Sequence, residues 1–317
     1  LRPARRVIID ADPGIDDVVT ITLAARSPEI SLVGVTTTYG NAPLALTTRN
    51  ARIALRLAGR PDIPVLPGAD RPRSRPLATA PETHGKSGIG YASAVPAVPL
   101  APAPHHTVLL DLLDAVPPPV TLVTIGPLTN LAAALEADAP FVLSRVGYHI
   151  GMFGSIHERG NASRWADFNA WCDPEAADIV VRSEMPVHMV GLDVTRRMTV
   201  TAAEVTALGR SPQELARWLG AALQFYVEFH RSQERLDGCV INDVLTIGDL
   251  VAPGMLGFER KDIRIDLDET EHRGHTMEGG PSSRQVAISV DTHTMRHLLS
   301  RVFGRGWWAQ QRQEGLA

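Results

Sequence analysis

The residues whose types and spacing could do chemistry cluster first in Asp10-Ala11-Asp12-Pro13-Gly14-Ile15-Asp16-Asp17, four carboxylates within eight residues. They follow the β-branched run Val7-Ile8-Ile9, so they sit at the carboxyl end of a strand. Charges this crowded repel one another unless something compensates. Asp10 and Asp12, two apart, can point the same way, Pro13-Gly14 turns the chain sharply, and Asp16 and Asp17 open a helix. A helix amino terminus stabilises a carboxylate by only roughly 0.3–1 kcal/mol. A cation is the economical compensation. Carboxylates without His or Cys beside them favour a hard ion, Ca²⁺ or Mg²⁺, over zinc. A lone Asp here would read as a helix cap, whereas a cluster at a strand's carboxyl end reads as a metal site, since ligands of open α/β sheets bind there.

The elements that must position these groups alternate along the chain. Strands are expected at 7–9, 32–36 and 63–66, with helices at 18–25 and 44–57 between them. An irregular stretch rich in Pro, Gly, Ala and Ser runs from about 67 to 103, of the kind that often lines a site. Alternation resumes with helix 107–115, strand 120–125, helix 129–135 and strand 146–150, and a second irregular stretch covers 151–171. Helix 174–182, strand 187–190, a helical block over 202–231, helix 243–251, strands near 263 and 286–288, and helix 292–303 complete the pattern. Alternating strands and helices predict an α/β fold with an open, mainly parallel, Rossmann-like sheet flanked by helices. No repeat or linker divides the chain, so 1–317 is read as one domain.

Composition narrows the partners. The chain has 317 residues, 44% of them hydrophobic and 21% charged, with a net charge of -4, which suits a folded, soluble protein without a general nucleic-acid surface. No apolar run approaches the ~20 residues of a membrane span, and no signal-like segment precedes the first strand, so the expected location is cytoplasmic. Cys172 and Cys239 read as reduced packing residues. The haloacid-dehalogenase-like phosphatases also begin with an acidic strand end. They need Thr or Val shortly after the second Asp, where this chain has Pro13-Gly14, and a later Lys ahead of an acidic pair, for which Lys86 and Lys261 are the only lysines. Phosphoryl transfer is set aside.

The acidic turn resembles the signature of the inosine-uridine preferring nucleoside hydrolases, and further segments follow in the same order. Thr38-Tyr39-Gly40-Asn41 is similar to that family's second strand end, and His84-Gly85-Lys86-Ser87-Gly88-Ile89-Gly90 to its His-Gly loop. Ile125-Gly126-Pro127-Leu128-Thr129-Asn130-Leu131 resembles its Gly-Pro-Leu-Thr-Asn segment, Gly160-Asn161 through Asp167-Phe168-Asn169 its sugar-binding stretch, and Asn242-Asp243 its His-Asp pair. The matches run from Asp10 to about Pro253.

The resemblance implies a nucleoside hydrolase fold and calcium-dependent cleavage of the N-glycosidic bond of a ribonucleoside. Asp12, Asp17, the Ile125 carbonyl and Asp243 would hold Ca²⁺, and the ion would grip the ribose diol and activate water. Asp12 would act as general base and His84 on the leaving base. Asp16, Asn41, Asn161, Asp167 and Asn169 fall to the ribose, while Met152 and Asn242 also lie on the substrate side. Family members are commonly homodimers or homotetramers, and the same is expected here. Taken alone, Asn41 would be a turn residue and Asn130 a helix-start hydrogen-bonder, and Asn130 is left outside the site. The histidines at 105, 106, 149 and 188 have no ligand-like spacing.

Three positions depart from the family pattern: Asn242 stands where a His is usual, Ser87 where Asp is frequent, and Asp167 where Glu is usual. Asn cannot act as an acid, so retained ribose and metal binding with altered base preference is expected. Two alternatives stay open, a hydrolase for a modified nucleoside and a ribose- or nucleoside-binding module without catalysis. The presence of Asp12 favours an enzyme.

Overall fold

The computed structural model describes residues 3–94, 105 and 107–304. The chain opens with β1 (Arg5–Ala11), α1 (Ile15–Arg26), β2 (Ile30–Thr37), α2 (Leu44–Leu57) and β3 (Val65–Pro67). Next come α3 (Pro81–His84), α4 (Val108–Ala115), β4 (Val120–Thr124), α5 (Thr129–Arg145), β5 (Val146–Gly151), α6 (Phe168–Cys172), α7 (Pro174–Arg182) and β6 (Val187–Met189). The last part holds α8 (Leu192–Thr195), β7 (Thr199–Thr201), α9 (Ala202–Gly209), α10 (Glu214–Glu234), β8 (Gly238–Val240) and α11 (Val244–Val251). It closes with β9 (Leu256–Ile265), β10 (Thr276–Glu278), β11 (Ser282–Val290) and α12 (Thr292–Phe303).

Nine strands form one sheet in the order β10-β9-β11-β6-β5-β4-β1-β2-β3, and β7 pairs with β8 apart from it. From β3 across to β11 the neighbours are parallel, and β9 and β10 add an antiparallel edge. The expected mainly parallel α/β sheet is thus present. Helices cover both faces, so the run Val7-Ile8-Ile9 within β1 is continuously apolar where a one-sided strand would alternate. Val7, Ile9 and Ala11 pack into one core cluster and Ile8 into the other. The chain leaves β1 for β2 and β3, then returns to lay β4 on β1's other side. That reversal makes the β1/β4 junction the switch point, where a crevice opens at the strands' carboxyl ends.

Several boundaries differ from the sequence pattern. The block over 202–231 is two helices, α9 and α10, separated at Ser211-Pro212, where Pro lacks the N–H to continue a helix. Helix α5 runs on to Arg145 with a non-helical Asp138 two residues before Pro140. The first irregular stretch contains the single turn α3, while its residues 95–104, and His106, lie outside the described residues. Strands β7, β8 and β10, of three residues each, are too short for a periodic signal. Among the described residues no helix is long and apolar enough to cross a membrane.

Asp10 takes a different part from the one its spacing suggests. Its Oδ1 accepts hydrogen bonds from Thr36 Oγ1 (2.5 Å) and Asn130 Nδ2 (2.7 Å), and burial pushes its carboxyl up to about 6. Asn130 also donates to the Thr37 carbonyl, while its own Oδ1 accepts the Ala69 N–H. One amide therefore ties the ends of β1 and β2 to the loop after β3, so Asn130 supports the site without lining it. Asn130→Ala leaves several buried polar groups without a partner and is expected to cost about 1–3 kcal/mol in urea unfolding. A loss of a few tenths would contradict this account.

Candidate active site

The acidic turn is built by local rules. Gly14 caps α1, and Asp17, at the third helical position, accepts the Gly14 N–H through Oδ2 (3.0 Å). Asn41, from the end of β2, donates its side-chain amide to the same Asp17 oxygen (2.9 Å) and to the Asp12 carbonyl (3.2 Å). Its backbone N–H goes to Asp12 Oδ2 (2.7 Å). Asn41 thus staples the turn, and a β-carbon on Gly14 would come within 2.6 Å of that amide nitrogen and of His84 Nδ1. Gly126, after β4, serves the same end, because a β-carbon there would lie 2.8 Å from Asp12 Oδ1.

After these bonds, Asp12 Oδ1 and Asp17 Oδ1 remain buried and without a hydrogen-bond partner. Asp243, which starts α11, is also buried, and Asp16, Asp17 and Asp243 each bring one ligand oxygen within 4.8 Å of the others. Burial, followed by the neighbouring carboxylates, pushes Asp12, Asp17 and Asp243 upward, Asp17 to about 8. Buried carboxylate oxygens without partners, beside a close carboxylate trio, are what a hard divalent cation satisfies, so this donor set fits one.

A cavity of about 250 Å³ opens above the cluster. It is lined by Asp16, Asn41, His84, Ile125, Met152, Asn161, Asp167, Asn169, Asn242 and Asp243, so the sequence-derived residues other than Asp12 and Asp17 share one wall system. Several do local structural work there. Asp167 caps α6, its Oδ1 accepting from Gly154 N (2.6 Å) and Ala170 N (3.2 Å) and its Oδ2 from Asn169 N (3.0 Å), and burial pushes it up to about 6. Asn169 Nδ2 donates to the Ile125 (3.1 Å) and Met152 (2.9 Å) carbonyls. Asn161 Oδ1 accepts the Phe168 N–H (2.8 Å).

Asn242 is an anchor for Asp16. Its Nδ2 and N–H donate to Asp16 Oδ2 (3.2 and 3.3 Å), and its Oδ1 accepts from Thr195 Oγ1 (2.9 Å). Tyr226 donates its hydroxyl to the same Asp16 oxygen (3.4 Å). His84 accepts the Ile15 N–H at Nδ1 (3.1 Å), which leaves its proton on Nε2. Burial lowers His84 to about 4, against the opposing pull of Asp16, so the ring is a neutral donor at physiological pH.

Sequence reasoning missed the wall that α10 supplies. Ala222, Tyr226 and His230 fall four residues apart on its buried face, and Tyr226, Phe229 and His230 line the cavity. The signal was the apolar stripe itself, which acquires polar members in its last turns. From α6, Phe168 and Trp171 line the cavity as well.

Comparison with known proteins agrees with this geometry. The profile of the inosine-uridine preferring nucleoside hydrolases matches residues 7–297. The inosine-uridine preferring nucleoside hydrolase of Crithidia fasciculata is 33% identical over 296 residues, covering 90% of this chain and 93% of its own. A pyrimidine-specific ribonucleoside hydrolase, RihA, of Photobacterium profundum is 38% identical over 277 residues, 86% of this chain and 88% of its own. Among solved structures, a plant nucleoside hydrolase superposes with a TM-score of 0.87 at 31% identity over 95% of this chain and 99% of its own. A purine-preferring ribonucleoside hydrolase from Gardnerella vaginalis gives 0.84 at 28% over 96% and 99%. The chain belongs to the inosine-uridine preferring nucleoside hydrolase family. Its reaction is hydrolysis of the N-glycosidic bond of ribonucleosides at a metal-coordinating aspartate cluster.

The raised carboxylates set a pH dependence. The unfolded chain ionises such groups near their ordinary 3.8, while the cation-free folded protein resists ionisation, Asp17 up to about 8. Folded stability without cation therefore falls as pH rises through that window. A divalent cation removes the penalty, so its stabilisation in thermal melts is expected to be small near the lower limit and large near the upper. Equal shifts at both limits would contradict the crowding.

Proposed function

We propose that the cation is Ca²⁺, held by Asp12, Asp17, Asp243 and the Ile125 carbonyl, and that Asp12 is the general base. The observation that carries this is the pair of buried, unpartnered oxygens, Asp12 Oδ1 and Asp17 Oδ1, beneath a polar cavity. Asp16 lies in the close carboxylate trio, but its Oδ2 already takes Asn242 and Tyr226, which favours giving it to a ribose hydroxyl. The Ile125 carbonyl keeps a second lone pair after accepting from Asn169. All-oxygen donors favour calcium's larger, more flexible shell. When bound, calcium supplies positive charge that lowers the pKa of water and grips vicinal hydroxyls.

The chain's own groups do the rest. Asp12 is fixed by the Asn41 N–H at Oδ2, which leaves Oδ1 to take the proton of an attacking water. As the glycosidic bond breaks, positive charge grows on the sugar ring, and the surrounding carboxylates stabilise it. Asn41, Asn161, Asp167 and Asn169 orient the ribose, with Met152 packed beside it. His84 offers its neutral Nε2–H as a hydrogen bond towards the base. The named relatives include inosine-uridine preferring, pyrimidine-specific and purine-preferring enzymes. Similarity to them therefore supports ribonucleosides as the substrate class without singling out one base.

Reducing-sugar assays on a panel of purine and pyrimidine ribonucleosides should detect ribose with calcium present, lose it on chelation and regain it on calcium repletion. Failure to release ribose from any of them would sink the reading. Asp12→Asn should lower kcat by about 10²–10⁴-fold, and full activity of that variant would remove Asp12 from the role.

A further inference from the structure

Departure of a nucleobase leaves an electron pair on a ring nitrogen, and a proton delivered to the base eases it. The position where the family pattern has His is Asn242, which cannot donate one as an acid, and its amide is committed to Asp16 and Thr195. His84 is poorly suited to full proton transfer, since the Ile15 N–H occupies its Nδ1 and the ring stays neutral. One other imidazole lines the cavity, His230 on α10.

We propose that His230 delivers the proton to the departing base. Its Nδ1 lies 2.8 Å from the Tyr226 carbonyl, an oxygen that can only accept, so Nδ1 carries a hydrogen and the ring is locked in one orientation. The opposite edge, Nε2, takes no hydrogen-bond partner among the described residues, and the buried ring belongs to the cavity wall. Tyr226 packs edge-on against it at 4.5 Å and tilts against His84 at 5.3 Å. The two imidazoles thus contact one tyrosine in opposite tautomers, His84 with hydrogen on Nε2 and His230, when neutral, with a bare Nε2 that can load a proton.

The groups acting on His230 come from several elements. Burial disfavours its cation, as does Arg196, while the Tyr226 carbonyl, Glu234 and Asp16 favour it. Glu234, one turn along α10, also lines the cavity. Burial is the largest of these and holds His230 below its ordinary value, which makes its cation a stronger acid towards the base, while the two carboxylates offset part of that penalty.

This assignment rests on the hydrolytic reading above, and the step balances. Water oxygen bonds to the anomeric carbon and gives a proton to Asp12, while the carbon–nitrogen bond breaks with its electron pair moving into the base. The base takes the Nε2 proton of His230. Products are ribose and neutral base, with Asp12 protonated and His230 neutral, and transfer of that proton through solvent resets both.

The test compares leaving groups. A p-nitrophenyl β-riboside departs as a stable phenolate and needs no acid, whereas natural ribonucleosides need one. With calcium present, His230→Gln should lower kcat on natural ribonucleosides by about 10²-fold while leaving the p-nitrophenyl riboside within about threefold of wild type. That second rate also certifies that the variant is folded. Equal loss on both substrates, or no loss on either, would overturn the role of His230. Wild-type protein inactive on both would instead bring down the hydrolase reading itself.

Discussion

The structure depends on a concentration of negative charge that the protein alone leaves uncompensated. Asp12, Asp16, Asp17 and Asp243 are all buried within one small volume, and two of their oxygens have no partner. Burying one unpaired carboxylate is costly, and burying several together compounds Coulomb repulsion with desolvation. The fold accepts this because the site is completed by a cation.

Much of the surrounding architecture serves to hold those charges close. Asn41 reaches from the loop after β2 to fix both Asp12 and Asp17, Asn242 and Tyr226 hold Asp16, and Asn130 and Thr36 hold one oxygen of the neighbouring Asp10. Glycines at 14 and 126 let backbone and carboxylates approach more closely than a β-carbon would permit. The switch point makes this possible, since β1, β2 and β4 end side by side and parallel.

On the α10 side of the cavity the construction is looser in charge and richer in rings. Tyr226, Phe229 and His230 come from one face of α10, with Phe168 and Trp171 from α6 beside Asp167 and Asn169. The polar wall of the cavity is thus bound to the sheet's edge, while the ring-bearing wall belongs to a helix laid across it.

The sequence by itself determined the alternating α/β order and the acidic turn, because strand periodicity, turn chemistry and clustered charge are local properties. It also carried the segments that resemble the family, from Asp10 to about Pro253. It did not separate Asp10 from Asp12, since two residues on one strand end look alike until Thr36 and Asn130 arrive from elsewhere to claim the first. Nor did it reveal Asn242 as the partner of Asp16, 226 residues away. Tyr226 and His230 looked like members of a buried helical stripe. Only the packing of α10 against the carboxyl edge of the sheet turned the end of that stripe into a wall of the site.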